Sequence, residues 1–157
     1  MQNHAMIAFL PEDGSWCKQD FPHMTLVYAG VIDDRPLSDF NVMAKDAVSV
    51  ATFTGPFSLQ VTGLEVFGPP EDRVDVLTLY PTPQLLIARK MVEKWNGSEF
   101  KDYKPHATIG PEGSASSDME TRPDGHRRRG LPTRLYFNQI VAAWGDRKLI
   151  FNLGEIF

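Results

Sequence analysis

Apolar residues along the chain recur in two spacings, and the spacing predicts the elements. Short apolar or alternating runs mark strands at His4–Leu10, His23–Ala29, Phe57–Phe67 and Val74–Tyr80, and again in "RLYFNQIVAAW" and "KLIFNL" near the C-terminus. Pro11 with "EDGS", Gly30, "GPPEDR" and Gly145-Asp146 supply the turn chemistry between them. Helical spacing takes over twice. In "PLSDFNVMAKDAVSVATF" the residues Phe40, Met43, Ala44, Ala47 and Val48 share a stripe, and Ser38 is placed to cap it. In "QLLIARKMVEKW" a second stripe follows Thr82 as cap and Pro83 at the first helical position, and stops at Asn96-Gly97. The segment of about 111–134 carries no core pattern and reads as a long mobile surface loop.

The predicted order is strand, strand, helix, strand, strand, helix, strand, strand, strand. It implies an α+β fold with two similar lobes, helices packed on antiparallel sheets, in a single domain over 1–157. Each helix neighbours a strand carrying Pro-His-x-Thr, a hint of internal duplication.

Those two strands hold the chemistry. They are "PHMTLVYAG", from Pro22, and "PHATIG", from Pro105. Residues two apart on a strand project from one face, so His23, Thr25 and Val27 share a side, with Met24, Leu26 and Tyr28 opposite. His106 and Thr108 likewise share a side, with Ala107 and Ile109 opposite. One such histidine is usually structural; two matched copies use two of the chain's four histidines. Facing each other across a cleft, two imidazoles supply a base and an acid to one reacting centre. Two hydroxyls can hydrogen-bond the oxygens of a tetrahedral anion. Phosphodiester cleavage needs this set and no metal. Zinc is the other use of paired histidines, but His4 and His126 have no metal-ligand spacing relative to the pair, and metal-free acid–base chemistry is the preferred reading. No cofactor is expected.

Charge and composition narrow the ligand rather than the fold. A net charge of −4 and a pI near 5.5 leave no basic field for long nucleic acid. A nucleotide or short oligonucleotide met by local cations remains compatible. Cys17 is the single cysteine, which excludes an internal disulfide and suits a reducing compartment. The start of the chain has too short an apolar run for a membrane span and lacks a basic signal start. A soluble, cytoplasmic monomer with no membrane partner is expected, in the host cytoplasm if the source is viral.

"PHMTLVYAG" and "KPHATIG" resemble the paired H-x-[ST]-apolar motifs of the two-histidine (2H) phosphoesterase superfamily, and "MIAFLPEDG" resembles its first strand and turn. The resemblance implies a bilobal fold with pseudo-two-fold symmetry around a central cleft. It implies His23 and His106 as the catalytic pair and Thr25 and Thr108 as the phosphate-holding hydroxyls. Such enzymes act without metal on 2′,3′-cyclic phosphates, 2′-5′ linkages or cyclic nucleotides. Small phage relatives that destroy cyclic-oligonucleotide immune signals (the anti-CBASS type) are similar in size. For opening a 2′,3′-cyclic phosphate, the resemblance makes His106 the base and His23 the acid, with roles exchanged if a ribose hydroxyl attacks.

Many relatives of the RNA-ligase-like branch follow the second motif with a basic residue, where this chain has Gly110-Pro111. Arg127, Arg128 and Arg129 in the 111–134 loop are the candidate replacement, as a cationic lid or simply as a solvated charge run. Trp144, then Tyr80 and Trp16, are the candidates for stacking on a base; Trp95 and Tyr28 read as core. A nucleotide-binding module that sequesters its ligand without cleaving it is the alternative, and substrate turnover separates the two.

Overall fold

The computed structural model describes residues 3–97, 102–115, 119–121, 127–129 and 131–155. The strands are β1 (His4–Pro11), β2 (Met24–Val31), β3 (Phe57–Phe67), β4 (Val74–Leu79), β5 (His106–Pro111), β6 (Met119–Thr121), β7 (Arg127–Arg129), β8 (Arg134–Trp144) and β9 (Arg147–Asn152). The helices are α1 (Ser38–Thr54) and α2 (Pro83–Met91), the latter followed by a 3₁₀ turn at Glu93–Trp95. The predicted elements are present in the predicted order. Ser38 opens α1 rather than capping it: Leu37 is the N-cap and no side chain bonds the helix end. Thr82 does cap α2, its hydroxyl accepting from the Leu85 amide, with Pro83 at the first position.

The two expected sheets are joined into one. Seven antiparallel strands run in the order β1-β2-β5-β4-β3-β8-β9, and β8 also pairs with β1. β2 and β5, the two histidine strands, are the inner pair. β1 flanks one and β4 the other, with β8 and β3 beyond them, so the halves mirror each other across the β2–β5 seam. Because Phe57–Gln60 of β3 pair with Arg134–Phe137 of β8, the pairing closes on itself. β6 and β7 form a separate two-stranded sheet inside the segment read as a bare loop. Their three-residue length and lack of alternation hid them from pattern reading.

Both helices lie on one face of the sheet. Phe40, Met43, Ala47, Val50 and Ala51 of α1 and Leu85 and Ala88 of α2 pack with Ile7, Phe9, Met24, Leu26, Ile109, Phe137 and Ile140 in the main core. The opposite face has a smaller apolar floor: Met6, Ala8 and Leu10 from β1, Val141 and Ala143 from β8, with Phe21 packed against it. Among the described residues no helix is long and apolar enough to cross a membrane.

Strand β2 is irregular where it matters. Ala8 pairs with Thr25 but Ile7 with Val27, so Leu26 is an extra residue on β2; Ala29 is a second. Each extra residue is a bulge that resets which face the following side chains take. Val27 therefore joins Leu26 in the main core instead of sharing the Thr25 face. Tyr28, opposite Met6, turns to the floor side, half-buried, where its hydroxyl hydrogen-bonds His4 Nδ1. Strict alternation had put both residues on the wrong side.

Candidate active site

The registered contact between β2 and β5 is Met24 opposite Ala107. Both side chains are buried in the main core. The neighbours on either side must then point to the other face. Antiparallel pairing sets His23 across from Thr108 and Thr25 across from His106, a crossed arrangement of two imidazoles and two hydroxyls on one surface. All four are half-buried.

Each imidazole is anchored the same way. His23 Nδ1 lies 2.8 Å from the Phe21 carbonyl oxygen, and His106 Nδ1 lies 2.8 Å from the Lys104 carbonyl oxygen. A carbonyl only accepts, so Nδ1–H is the donor in both. That fixes the tautomer and leaves Nε2 of each ring free to take or give a proton. In both cases a proline, Pro22 or Pro105, separates the carbonyl from its histidine.

Aromatic rings brace both histidines. Phe21 lies beside His23 with ring centroids 5.3 Å apart, and Phe67 meets His106 edge-on at 4.8 Å. On β4, Thr78 sits opposite His106, and its hydroxyl is 2.8 Å from that of Thr62. Burial pulls the His23 imidazole below its ordinary value, partly offset by the bond to the Phe21 carbonyl. Positive charge on His106 and on Lys148 pulls it further the same way. These effects together bias the His23 imidazole toward its neutral form.

One edge of β2 pairs with β1; on the other, beyond the short contact with β5, β2 is held by side chains and loops. The Tyr103 hydroxyl donates to the Thr25 carbonyl at 2.8 Å, Arg89 Nη1 to the Leu26 carbonyl at 2.6 Å, and the Gly97 amide to the Tyr28 carbonyl at 2.9 Å. These three bonds bracket the bulge that ends the His23-Thr25 face. Burial pushes the Tyr103 phenol up, against the pull of the nearby Arg89 charge, so it remains a donor.

Other candidates fare differently. Trp144 is buried on the helix side, stacked on Phe40 at 6.0 Å between centroids, and so is not brought to the histidines. The reason is parity: Ala143 faces the floor, so its neighbour cannot. Trp16 is also buried, its indole N–H donating to the Asp13 carbonyl. Trp95 is core, as expected. Tyr80 is 55% exposed, two residues beyond Thr78 on the strand side that carries it. Arg127, Arg128 and Arg129 form the backbone of β7; their side chains lie outside the described residues. Lys148, missed in the sequence, comes to the floor side of β9, its Nζ 4.2 Å from the Phe21 ring centroid. A hollow of about 270 Å³ bounded by Glu12, Pro56, Phe57, Ser58, Tyr136 and Phe137 contains none of these groups.

Comparison with known proteins agrees with this layout. The sequence pattern of the 2′-5′ RNA ligase superfamily matches residues 13–140, which include both histidine strands. No curated protein matches the sequence. Among solved structures, Usb1 of Kluyveromyces marxianus superposes with a TM-score of 0.60 at 11% identity, covering 97% of this chain and 99% of its own. The same protein with uridine monophosphate gives 0.59 at 11% identity and the same coverage. TT0787 of Thermus thermophilus gives 0.53 at 16% identity over 96% of this chain and 94% of its own. At these identities the likeness is one of fold.

Proposed function

The chain belongs to the 2′-5′ RNA ligase superfamily of two-histidine phosphoesterases, and on that premise we propose that it hydrolyses a phosphodiester of a nucleotide or short oligonucleotide by paired-histidine acid–base catalysis. The observation that carries the reading is the matched anchoring of His23 and His106. Both imidazoles are fixed through Nδ1–H to a carbonyl two residues back, both strands present the ring on one face, and each has a threonine across the seam.

In this scheme the substrate phosphate sits over the β2–β5 seam, its non-bridging oxygens accepting from the Thr25 and Thr108 hydroxyls. One Nε2 removes a proton from the attacking water as its oxygen bonds to phosphorus. The other, protonated, gives its proton to the ribose oxygen as the phosphorus–oxygen bond breaks. The product is a phosphomonoester and a free hydroxyl, and proton exchange with solvent resets the pair. Burial biases His23 toward its neutral form, which favours His23 as the base and leaves His106 as the acid. This reverses the roles that the family resemblance implies for opening a cyclic phosphate. Hydroxyl donors aimed at the non-bridging oxygens stabilise the charge that builds there.

The candidate substrates are 2′,3′-cyclic phosphates, 2′-5′-linked dinucleotides and cyclic oligonucleotides. Uridine monophosphate, the ligand of one structural neighbour, is a natural product-side probe. Incubating the protein with such a panel in the presence of chelator, and resolving products by chromatography, tests the proposal. Turnover of one class without metal is expected. Tight binding with no turnover across the panel points instead to a sequestering module, and loss of turnover on chelation overturns the metal-free scheme.

A further inference from the structure

Lys148 stands out on the face that carries the histidines. Register across the sheet puts Lys148 beside Ala143, Ala143 beside Met6, and Met6 beside Tyr28. The adjoining row ends on Thr25, through Val141 and Ala8. Neither row carries a carboxylate, although the chain as a whole has a net charge of −4. Among the described residues Lys148 forms no ion pair; the four resolved pairs involve Arg35, Arg73, Arg89 and Lys94. The side chain is exposed, yet it does not extend straight into solvent. It lies over a floor kept low by Ala8 and Ala143, with its ammonium against the Phe21 ring, itself tilted beside His23 with ring centroids 5.3 Å apart. A lysine stem resting on apolar surface with its charge held at one end is a low-entropy way to keep a cation in place. The field of that charge already reaches His23.

We propose that Lys148 is the cation that binds a substrate phosphate oxygen in this cleft, delivered from the last strand to the His23 side. The inference rests on the phosphoesterase reading above and deepens it by naming the missing counter-charge. It also gives the cleft a direction: the anionic part of the ligand lies toward β9 and Phe21 rather than beyond β4. A flexible ammonium meets phosphate as a point charge, so arginine at the same position keeps the function and a neutral residue loses it.

The test separates this inference from the reading it rests on, because binding needs no turnover. Inorganic phosphate and uridine monophosphate are titrated into wild type, Lys148→Met and Lys148→Arg, following the histidine ring signals by NMR. Removing one charge-assisted contact predicts roughly ten-fold weaker binding in Lys148→Met and near wild-type binding in Lys148→Arg. With a cleaved substrate in hand, Lys148→Met should raise KM by a similar factor while kcat changes little. Equal affinity in wild type and Lys148→Met overturns the proposal even if every variant is active. Selective loss of binding in Lys148→Met upholds it even if no substrate is cleaved, and the hydrolase reading then fails alone. Lys148→Gln serves as the neutral variant should the methionine form fold poorly.

Discussion

Arg89 is the buried charge on which the shape of β2 depends, and replacing it with methionine separates its charge from its packing. Its side chain is 10% exposed, its Nη1 donates to the Leu26 carbonyl at 2.6 Å, and its guanidinium lies 5.0 Å from the Tyr103 ring centroid. Leaving the Leu26 carbonyl without that donor costs about 1–3 kcal/mol. Loss of the cation over Tyr103 adds about 0.5–2 kcal/mol. The 2.8 Å pair with Glu93 adds little, because Glu93 is 50% exposed and solvent screens it. Methionine keeps most of the apolar stem contact, so Arg89→Met should destabilise by about 1.5–5 kcal/mol in all. Urea unfolding followed by circular dichroism measures this as a lower midpoint at unchanged slope. The surviving folded enzyme should also lose kcat, since the Leu26 bulge ends the face that presents His23 and Thr25. A loss below about 0.5 kcal/mol, as for an ordinary surface change, together with unaltered kcat, refutes the idea that this contact holds the bulge.

Two further outcomes follow from the same geometry. A methyl on Gly97 would lie 2.6 Å from the Ala29 carbonyl oxygen, so Gly97→Ala must push the turn off β2; a destabilisation of about 1–3 kcal/mol by thermal or urea unfolding is expected, and no loss contradicts the packing. Because burial holds His23 below its ordinary 6.5 in the folded state, the unfolded chain takes up that proton first. Its contribution to stability should therefore fall as pH drops below about 6.5 and level off below the folded value. Across that range wild type should lose unfolding free energy toward acid relative to His23→Gln; parallel curves contradict the shift.

Much of this was legible in the chain because alternation is a local property. Met24 and Ala107 are apolar, flanked by His and Thr on both strands, and their burial at the seam forces the four polar groups onto one face. What alternation misses is any residue that breaks count. Nothing in "LVYAG" announces that Leu26 and Ala29 are extra, yet they decide where Val27 and Tyr28 point. The bonds that hold the bulge come from Arg89 and Tyr103, far along the sequence, and no short window contains them. Position at a strand end makes Trp144 look like a base-stacking residue. The step from floor-facing Ala143 puts it in the core against α1 instead. Lys148 went unread for the opposite reason: a lone lysine on a terminal strand looks like solvated charge until Ala8, Ala143 and Phe21 are seen beneath it.

If His23 and His106 act as one acid–base pair, the pH dependence of kcat/KM on a cleaved substrate measures it directly. A bell-shaped profile is expected, with its acid limb set by His23. His23→Ala and His106→Ala should each lower the rate by roughly 100-fold or more while circular dichroism shows the fold retained. Each variant should also lose one limb of the bell. A single-limbed wild-type profile, or near wild-type rates in either folded variant, contradicts the pairing.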